Sequence, residues 1–248
     1  MQANEWFRIW FSSPYYDILY HKRDKEEAAR LIEKLDLYLQ IPQHSFVLDA
    51  ACGKGRHSIA LAAKGFDVTG IDLCASAIIE AKNHETDNLH FYLHDIRLPF
   101  YINYFDYAFN FFTSFGYFKT MREHNDAMRT IAQSLKLNGV FTIDYLNVHF
   151  AEDNLKYEDK SQFDGVTFNI TRWYDEEYFY KRIRVEDAVK NVSETFTERV
   201  EKFSLGDFTD MLSYQGLMVE NVFGDYELNA YHVKKSPRMI IIAKKIHV

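Results

Sequence analysis

The chain has 248 residues, of which 47% are hydrophobic, and a formal net charge of −7. This length and composition predict a folded domain with a substantial core, and the acidic balance disfavours a large nucleic-acid surface, which needs clustered Lys and Arg. No apolar run approaches the roughly 20 residues of a membrane span. Charged residues near the N-terminus, such as Glu5 and Arg8, are unlike a signal peptide, so we expect a cytoplasmic protein without a membrane partner.

Along the chain, a helical cap rich in aromatic residues comes first. An amphipathic helix is predicted from Asp24 to Tyr38, because its apolar side chains share one face. The following residues alternate between strands near 46–50, 67–71, 89–93, 105–111 and 139–146 and helices near 57–64, 75–83 and 121–135. This alternation predicts an α/β fold with a doubly wound, mostly parallel sheet.

Residues 150–204 have a different pattern. A period of two is clearest on one strand face that comprises Val192, Glu194, Phe196, Glu198 and Val200. This alternation predicts antiparallel strands. A helix near 205–214 and strands near 217–223 and 239–243 then complete a seven-stranded sheet. The predicted organisation is therefore one α/β domain, formed by 1–149 and 205–248, with an antiparallel β insertion at 150–204.

The turn after the first strand is the most informative segment. An apolar strand carries Asp49 near its end and turns through Gly53 and Gly55 into a helix, which leaves backbone N–H groups free to bind a cofactor. Asp49 suits a cationic group such as an amino acid ammonium. Asp72 ends the second strand, where a carboxylate can bind ribose hydroxyls.

A dinucleotide-binding domain is the closest rival interpretation. Its G-x-G-x-x-G fingerprint requires a third glycine where this chain has Ser58, and Asp49 would serve a pyrophosphate poorly. A nicotinamide oxidoreductase is therefore disfavoured.

The run from Val47 to Asp72 resembles class I S-adenosylmethionine-dependent methyltransferases. Three later segments match the same family in the same order: 94–96 after the third strand, 104–117 around the fourth, and 135–140 as the turn into the fifth. Ala51 replaces a usual glycine of the first motif, and alanine can serve there if that backbone position has a negative φ.

The resemblance implies that S-adenosylmethionine is the cofactor and that a β-rich insertion covers the substrate cleft. It implies that Asp95 and Ile96 form the adenine pocket and that an N-terminal tyrosine closes over the cofactor. The predicted cofactor-binding residues are Asp49, Ala51, Gly53, Gly55, Asp72, Leu73, Asp95, Ile96, Asn110 and Tyr20.

The acceptor is predicted to be a small molecule. Its candidate contacts are Tyr15, Tyr16, Phe112 and Asn147, whereas no catalytic side chain and no metal-ligand spacing are identified. Methylation of RNA or protein is an alternative that the acidic charge and the missing N-P-P-Y motif at Asn110 disfavour. A non-catalytic S-adenosylmethionine-binding module is another, and a homodimer through an exposed edge of the insertion is a predicted assembly.

Overall fold

The computed structural model describes residues 5–21 and 25–247, which form two β-sheets and their flanking helices. The helices are α1 (Trp6–Phe11), α2 (Pro14–Leu19), α3 (Lys25–Leu39), α4 (Arg56–Ala63), α5 (Ala75–Ala81), α6 (Met121–Ser134), α7 (Val148–Asp153) and α8 (Leu205–Tyr214). The strands are β1 (Phe46–Ala50), β2 (Asp67–Asp72), β3 (Leu89–Leu93), β4 (Phe105–Asn110), β5 (Leu135–Leu146), β6 (Glu158–Phe163), β7 (Val166–Tyr174), β8 (Tyr178–Asp187), β9 (Val192–Glu201), β10 (Leu217–Phe223) and β11 (Arg238–Lys245).

The larger sheet has seven strands in the order β10-β11-β5-β4-β1-β2-β3. β1 pairs in parallel with β2 and β4, whereas β11 runs antiparallel to β5 and β10. The predicted doubly wound, mostly parallel sheet is confirmed. Its strand order reverses direction beside β1, and ligands of open α/β sheets bind at such a point, outside the carboxyl ends of the strands.

Two boundaries differ from the sequence prediction. β5 begins at Leu135, directly after α6, so the predicted turn at 135–140 lies inside the strand. Asn138 has a φ of 67°, and the pairing of β4 with β5 shifts register between Phe105 and Tyr107. The turn residues therefore make an irregularity in a continuous strand. The predicted start of α3, Asp24, lies outside the described residues.

The insertion forms a separate four-stranded antiparallel sheet in the order β6-β7-β8-β9, as its alternating pattern predicts. One face packs on the N-terminal cap, α1 and α2. Trp10 and Tyr15 of the cap share an apolar cluster with Phe168 and Ile183 of the insertion. Phe7 of the same cap packs into the main core instead, so the cap lies between the two sheets. Among the helices in the described part of the chain, none is long and apolar enough to cross a membrane.

An arginine attaches the cap to the main domain. The Arg97 guanidinium lies 2.6 Å from a Glu5 oxygen, 2.7 Å from Asp95 Oδ2 and 2.8 Å from Glu123 Oε1. Its side chain is only 15% exposed, and burial limits screening of these pairs by water. Arg97 thus joins the start of α1 to the loop after β3 and to the first turn of α6.

We expect Arg97→Ala to loosen the cap. Hydrogen–deuterium exchange of the α1 amides should accelerate about tenfold, because three carboxylates lose a charged donor at once. Arg129→Ala is the matched control, since it breaks only the exposed pair with Asp126. Unchanged exchange in Arg97→Ala would show that the apolar contacts of the cap suffice.

Candidate active site

A cleft of about 660 Å³ opens at the carboxyl ends of β1 to β4. Its floor is the loop after β1, with the residues that follow β2, β3 and β4 beside it. Its opposite wall comes from the cap and from one residue of the insertion, Glu198. This volume lies within the range of 300 to 1,000 Å³ typical of small-molecule sites.

The glycine loop is built from left-handed residues. Gly53 and Gly55 have φ angles of 56° and 82°, and a Cβ on Gly55 would meet the Phe91 ring at 2.5 Å. Glycine is therefore required at Gly55 by both conformation and space. Ala51 does not meet the condition of a negative φ, because its φ is 64°. The backbone N–H of Cys52 donates to the Ile71 carbonyl at 2.9 Å, which turns the loop sharply toward β2.

Asp72 lines the cleft at the end of β2. Its Oδ2 accepts the Gly53 N–H at 2.8 Å and its Oδ1 accepts the Cys74 N–H at 2.7 Å. Burial raises its pKa, and these backbone hydrogen bonds oppose that rise. A carboxylate has about four acceptor positions, so each oxygen can still accept a hydroxyl. Asp72, the residue predicted to bind the ribose, therefore lies in the cleft next to the glycine loop and Leu73.

Asp95 and Ile96 line the cleft after β3, where the adenine pocket is predicted. Both Asp95 oxygens accept hydrogen bonds from the Arg97 guanidinium, at 2.7 to 3.2 Å. Burial of Asp95 acts to raise its pKa, but the Arg97 hydrogen bonds outweigh it and lower the pKa. Asp95 is thus held as a carboxylate, with Ile96 as the apolar neighbour.

Asp49 lies beneath the glycine loop and does not line the cleft. It is 1% exposed, and its Oδ2 accepts the Ser58 hydroxyl at 2.5 Å. Burial raises its pKa to about 7, although the Ser58 hydrogen bond opposes this. Ser58, where a dinucleotide-binding domain would have its third glycine, is therefore the partner of Asp49.

The raised pKa of Asp49 predicts a pH dependence of stability. Unfolded Asp has a pKa of about 4, so between about pH 4 and pH 7 the folded state holds a proton that the unfolded state has lost. The contribution of Asp49 to stability therefore falls as the pH rises through this window and is level above it. Relative to wild type, the free energy of unfolding of Asp49→Asn, measured in urea, should rise by about 4 kcal/mol between pH 4 and pH 8. A constant difference between the two proteins would show that Asp49 does not titrate there.

Four other predicted site residues, Gly55 among them, lie outside the cleft lining. Asn110 is fully buried at the end of β4, where its amide donates to the Ala50 carbonyl at 2.8 Å while its Oδ1 has no partner among the described residues. Tyr15 donates to Asp187 Oδ2 at 3.2 Å, between the cap and the insertion. Asn147 donates to the carbonyls of Val233 and Ser236 and so fixes the loop before β11.

The predicted aromatic residues Tyr16, Tyr20 and Phe112 do line the cleft. Tyr16 and Tyr20 come from the cap, with ring centroids 4.9 Å apart. Phe112 follows β4 with a φ of 62°, and Arg56 lies 4.9 Å from the centroid of its ring. Aromatic residues therefore line the cleft on two sides, from the cap and from the segment after β4.

A buried ion pair supports Phe112 from behind. Asp144 Oδ2 accepts the Phe112 N–H at 2.9 Å and the Tyr226 hydroxyl at 3.0 Å, while Asp144 Oδ1 accepts Arg238 Nε at 2.8 Å. Thr113 also has a positive φ, of 57°. Two successive left-handed residues other than glycine are costly, and such strain persists only where the surroundings impose it. The Asp144 cluster imposes it here.

Sequence reasoning missed Arg97, Asp144 and Glu198. Arg97 reaches Glu123 across 26 positions of the chain and Asp144 reaches Phe112 across 32, and no local pattern shows such contacts. Glu198 had a signal, because it falls on the same strand face as Phe196 and Val200 and is a charged residue on an apolar face.

Comparisons with known proteins agree with this arrangement. A family model described as a methyltransferase domain matches residues 42–182, more than half of the chain. The chain therefore belongs to this methyltransferase family. The sequence-based assignment to class I S-adenosylmethionine-dependent methyltransferases, with S-adenosylmethionine as cofactor, is confirmed.

The chain is similar to a dTDP-3-amino-3,4,6-trideoxy-alpha-D-glucopyranose N,N-dimethyltransferase of Streptomyces venezuelae. They are 31% identical over 132 residues, which are 52% of this chain and 54% of the relative, so the match spans about half the length of that curated protein.

Two solved structures share the fold over nearly the whole chain. An S-adenosylmethionine-dependent methyltransferase from Clostridium acetobutylicum has a TM-score of 0.76 at 18% identity, covering 93% of this chain and 96% of its own. The sugar N-methyltransferase KedS8 from a Streptoalloteichus species has a TM-score of 0.72 at 20% identity, covering 94% and 93%. The insertion and the cap are thus part of a shared architecture.

Proposed function

We propose that this protein transfers a methyl group from S-adenosylmethionine to a small-molecule acceptor by direct displacement. One observation carries the proposal: Gly53, Asp72 and Asp95, from three separate sequence motifs, line a single cleft that continues to aromatic residues of the cap. The first part of the cleft suits a nucleoside with a charged amino acid end. The second part suits an acceptor.

Each part of the cofactor is assigned to residues whose chemistry suits it. Asp72 binds the ribose hydroxyls, and Asp95 with Ile96 binds adenine. The loop from Ala51 to Lys54 lines the cleft beside Asp72, and we assign the amino acid end to it. Asp49 lies beneath this loop and the Asn110 amide donates to the Ala50 carbonyl directly before it, so both residues support the loop and do not line the cleft.

Bound S-adenosylmethionine supplies a methyl group that is already electrophilic because it is attached to a sulfonium. The protein therefore has to hold the acceptor in line and exclude water. Tyr16 and Tyr20 cover the cleft from the cap, Phe112 lies at the end of β4, and the insertion of 150–204 covers the acceptor side through Glu198. Positioning by these residues, rather than a nucleophilic side chain, accounts for the catalysis.

An amine is the acceptor class that the comparisons favour. Both the Streptomyces venezuelae relative and KedS8 are named for methylation of nitrogen on sugars. A net charge of −7 disfavours a polyanionic RNA substrate. Amino sugars therefore come first in an acceptor screen, with matched hydroxyl compounds beside them.

Isotope transfer tests the proposal. The protein is incubated with S-adenosylmethionine carrying a tritiated methyl group and with pools of small amines, RNA and protein, and the products are separated by size. We expect label in the small-molecule fraction. Label in RNA or protein would contradict the proposed acceptor, and binding of the cofactor without label in any fraction would favour a non-catalytic module.

The insertion also carries the proposed assembly. β6 is an outer strand of the smaller sheet and is the edge through which two subunits would pair. Light scattering coupled to size-exclusion chromatography should then give the mass of two chains. The mass of one chain would rule out this homodimer.

A further inference from the structure

Glu198 is the residue of the smaller sheet that reaches the cleft. It lies in β9, its side chain is 17% exposed, and within residues 5–21 and 25–247 no other residue of β6 to β9 lines the cleft. A carboxylate in this position is costly to bury unless it is hydrogen-bonded.

All contacts that hold Glu198 are made to one of its two oxygens. Oε1 accepts the Trp10 indole N–H at 2.7 Å and the Tyr20 hydroxyl at 3.0 Å, and Lys181 Nζ lies 3.6 Å away. Within the described residues, Oε2 accepts no hydrogen bond. The carboxylate is therefore fixed in orientation by one oxygen while the other keeps its full acceptor capacity.

The other carboxylates that line the cleft are engaged. Asp17 and Glu80 both pair with Lys54, at 2.9 and 2.6 Å. Asp72 accepts two backbone N–H groups, and both oxygens of Asp95 face Arg97. Glu198 is the carboxylate of the cleft that comes from the insertion, and within the described residues its Oε2 accepts no hydrogen bond.

We propose that Glu198 Oε2 is a subsite for a hydrogen-bond donor, an N–H or O–H group, of the small-molecule acceptor. The inference rests on the proposed function, because it takes this part of the cleft as the acceptor side. Trp10 and Tyr20 are positioning residues in this account, since they direct Oε2 without needing to touch the acceptor. The insertion thereby selects acceptors that carry a donor.

The variant Glu198→Gln gives a sharp test of this chemistry. The donors Trp10 Nε1–H and Tyr20 O–H require an oxygen, so the Gln amide should direct its oxygen to them and its NH₂ group to the position of Oε2. The subsite then presents a donor to a donor. Affinity for a ligand with an amine should fall at least about tenfold. Glu194→Gln is the matched control, because Glu194 lies on the same face of β9, is exposed and does not line the cleft.

The measurement uses the indole N–H signal of Trp10 in ¹⁵N-tryptophan-labelled protein, recorded with and without saturating S-adenosylhomocysteine. Cyclohexylamine, cyclohexanol and methoxycyclohexane are titrated in turn. We expect the amine and the alcohol to shift the Trp10 signal, the ether to shift it far less, and Glu198→Gln to lose the difference. The ligand series needs only the wild-type protein, so it decides the question even where the variant does not fold.

Equal shifts from all three compounds, no shift from any of them, or undiminished shifts in Glu198→Gln would each overturn the subsite. Failure of the proposed function is a separate result. S-adenosylhomocysteine would then fail to bind in calorimetry, whereas the titrations of the cofactor-free protein would still report on Glu198.

Discussion

Asp144→Asn is expected to lower the free energy of unfolding by about 3 kcal/mol, the lower end of the cost of breaking a buried ion pair. Asp144 is 1% exposed and lies 2.7 Å from the Arg238 guanidinium. Removing the charge leaves Arg238 without its counterion and weakens the acceptor of the Phe112 N–H. For a domain of this size the melting temperature should fall by about 6 to 12 °C.

Two controls separate this effect from a general loss of charge. Asp159→Asn breaks an exposed pair with Lys156 and should cost less than about 1 kcal/mol. Combining Asp144→Asn with Arg238→Met should recover part of the loss, since the unpaired charge is then removed. If the free energy of unfolding of Asp144→Asn lies within about 1 kcal/mol of the wild-type value, the ion pair does not maintain the strained turn at Phe112.

Asp72→Ala is expected to weaken binding of S-adenosylhomocysteine at least tenfold, or about 1.4 kcal/mol. The side chain serves the cofactor in two ways. It is the proposed acceptor of the ribose hydroxyls, and it holds the glycine loop through the Gly53 N–H at 2.8 Å. Isothermal titration calorimetry measures the change.

The control for Asp72 lies on the same strand. Asp67 begins β2 at the opposite edge of the sheet and does not line the cleft, so Asp67→Ala should bind as wild type does. Circular dichroism checks the fold of both variants. Unchanged affinity in a folded Asp72→Ala protein would refute the ribose assignment.

The sequence predicted the strands of both sheets because their signals are local. Alternation of apolar strands with amphipathic helices identifies the parallel sheet, and a period of two identifies β7 and β9. The motif residues Gly53, Asp72 and Asp95 could be located in advance because each lies at or shortly after the carboxyl end of a strand, and these ends share one edge of the sheet.

The remaining features depend on tertiary contacts. The left-handed φ of Ala51 accompanies the hydrogen bond that joins the loop to β2, from the Cys52 N–H to the Ile71 carbonyl. Asp49 is buried because the loop lies over it. Tyr15 is a predicted acceptor contact because of its place in the aromatic N-terminal cap and the family resemblance, yet its hydroxyl is bound by Asp187, 172 positions away. No local pattern contains such information.

Calorimetric titration with S-adenosylmethionine, S-adenosylhomocysteine and NAD tests most directly whether the cleft at Gly53, Asp72 and Asp95 is a methyl-donor site. The account predicts that the first two bind and that NAD does not. Binding of NAD alone would contradict it, and binding of none of the three would leave the fold without the proposed activity.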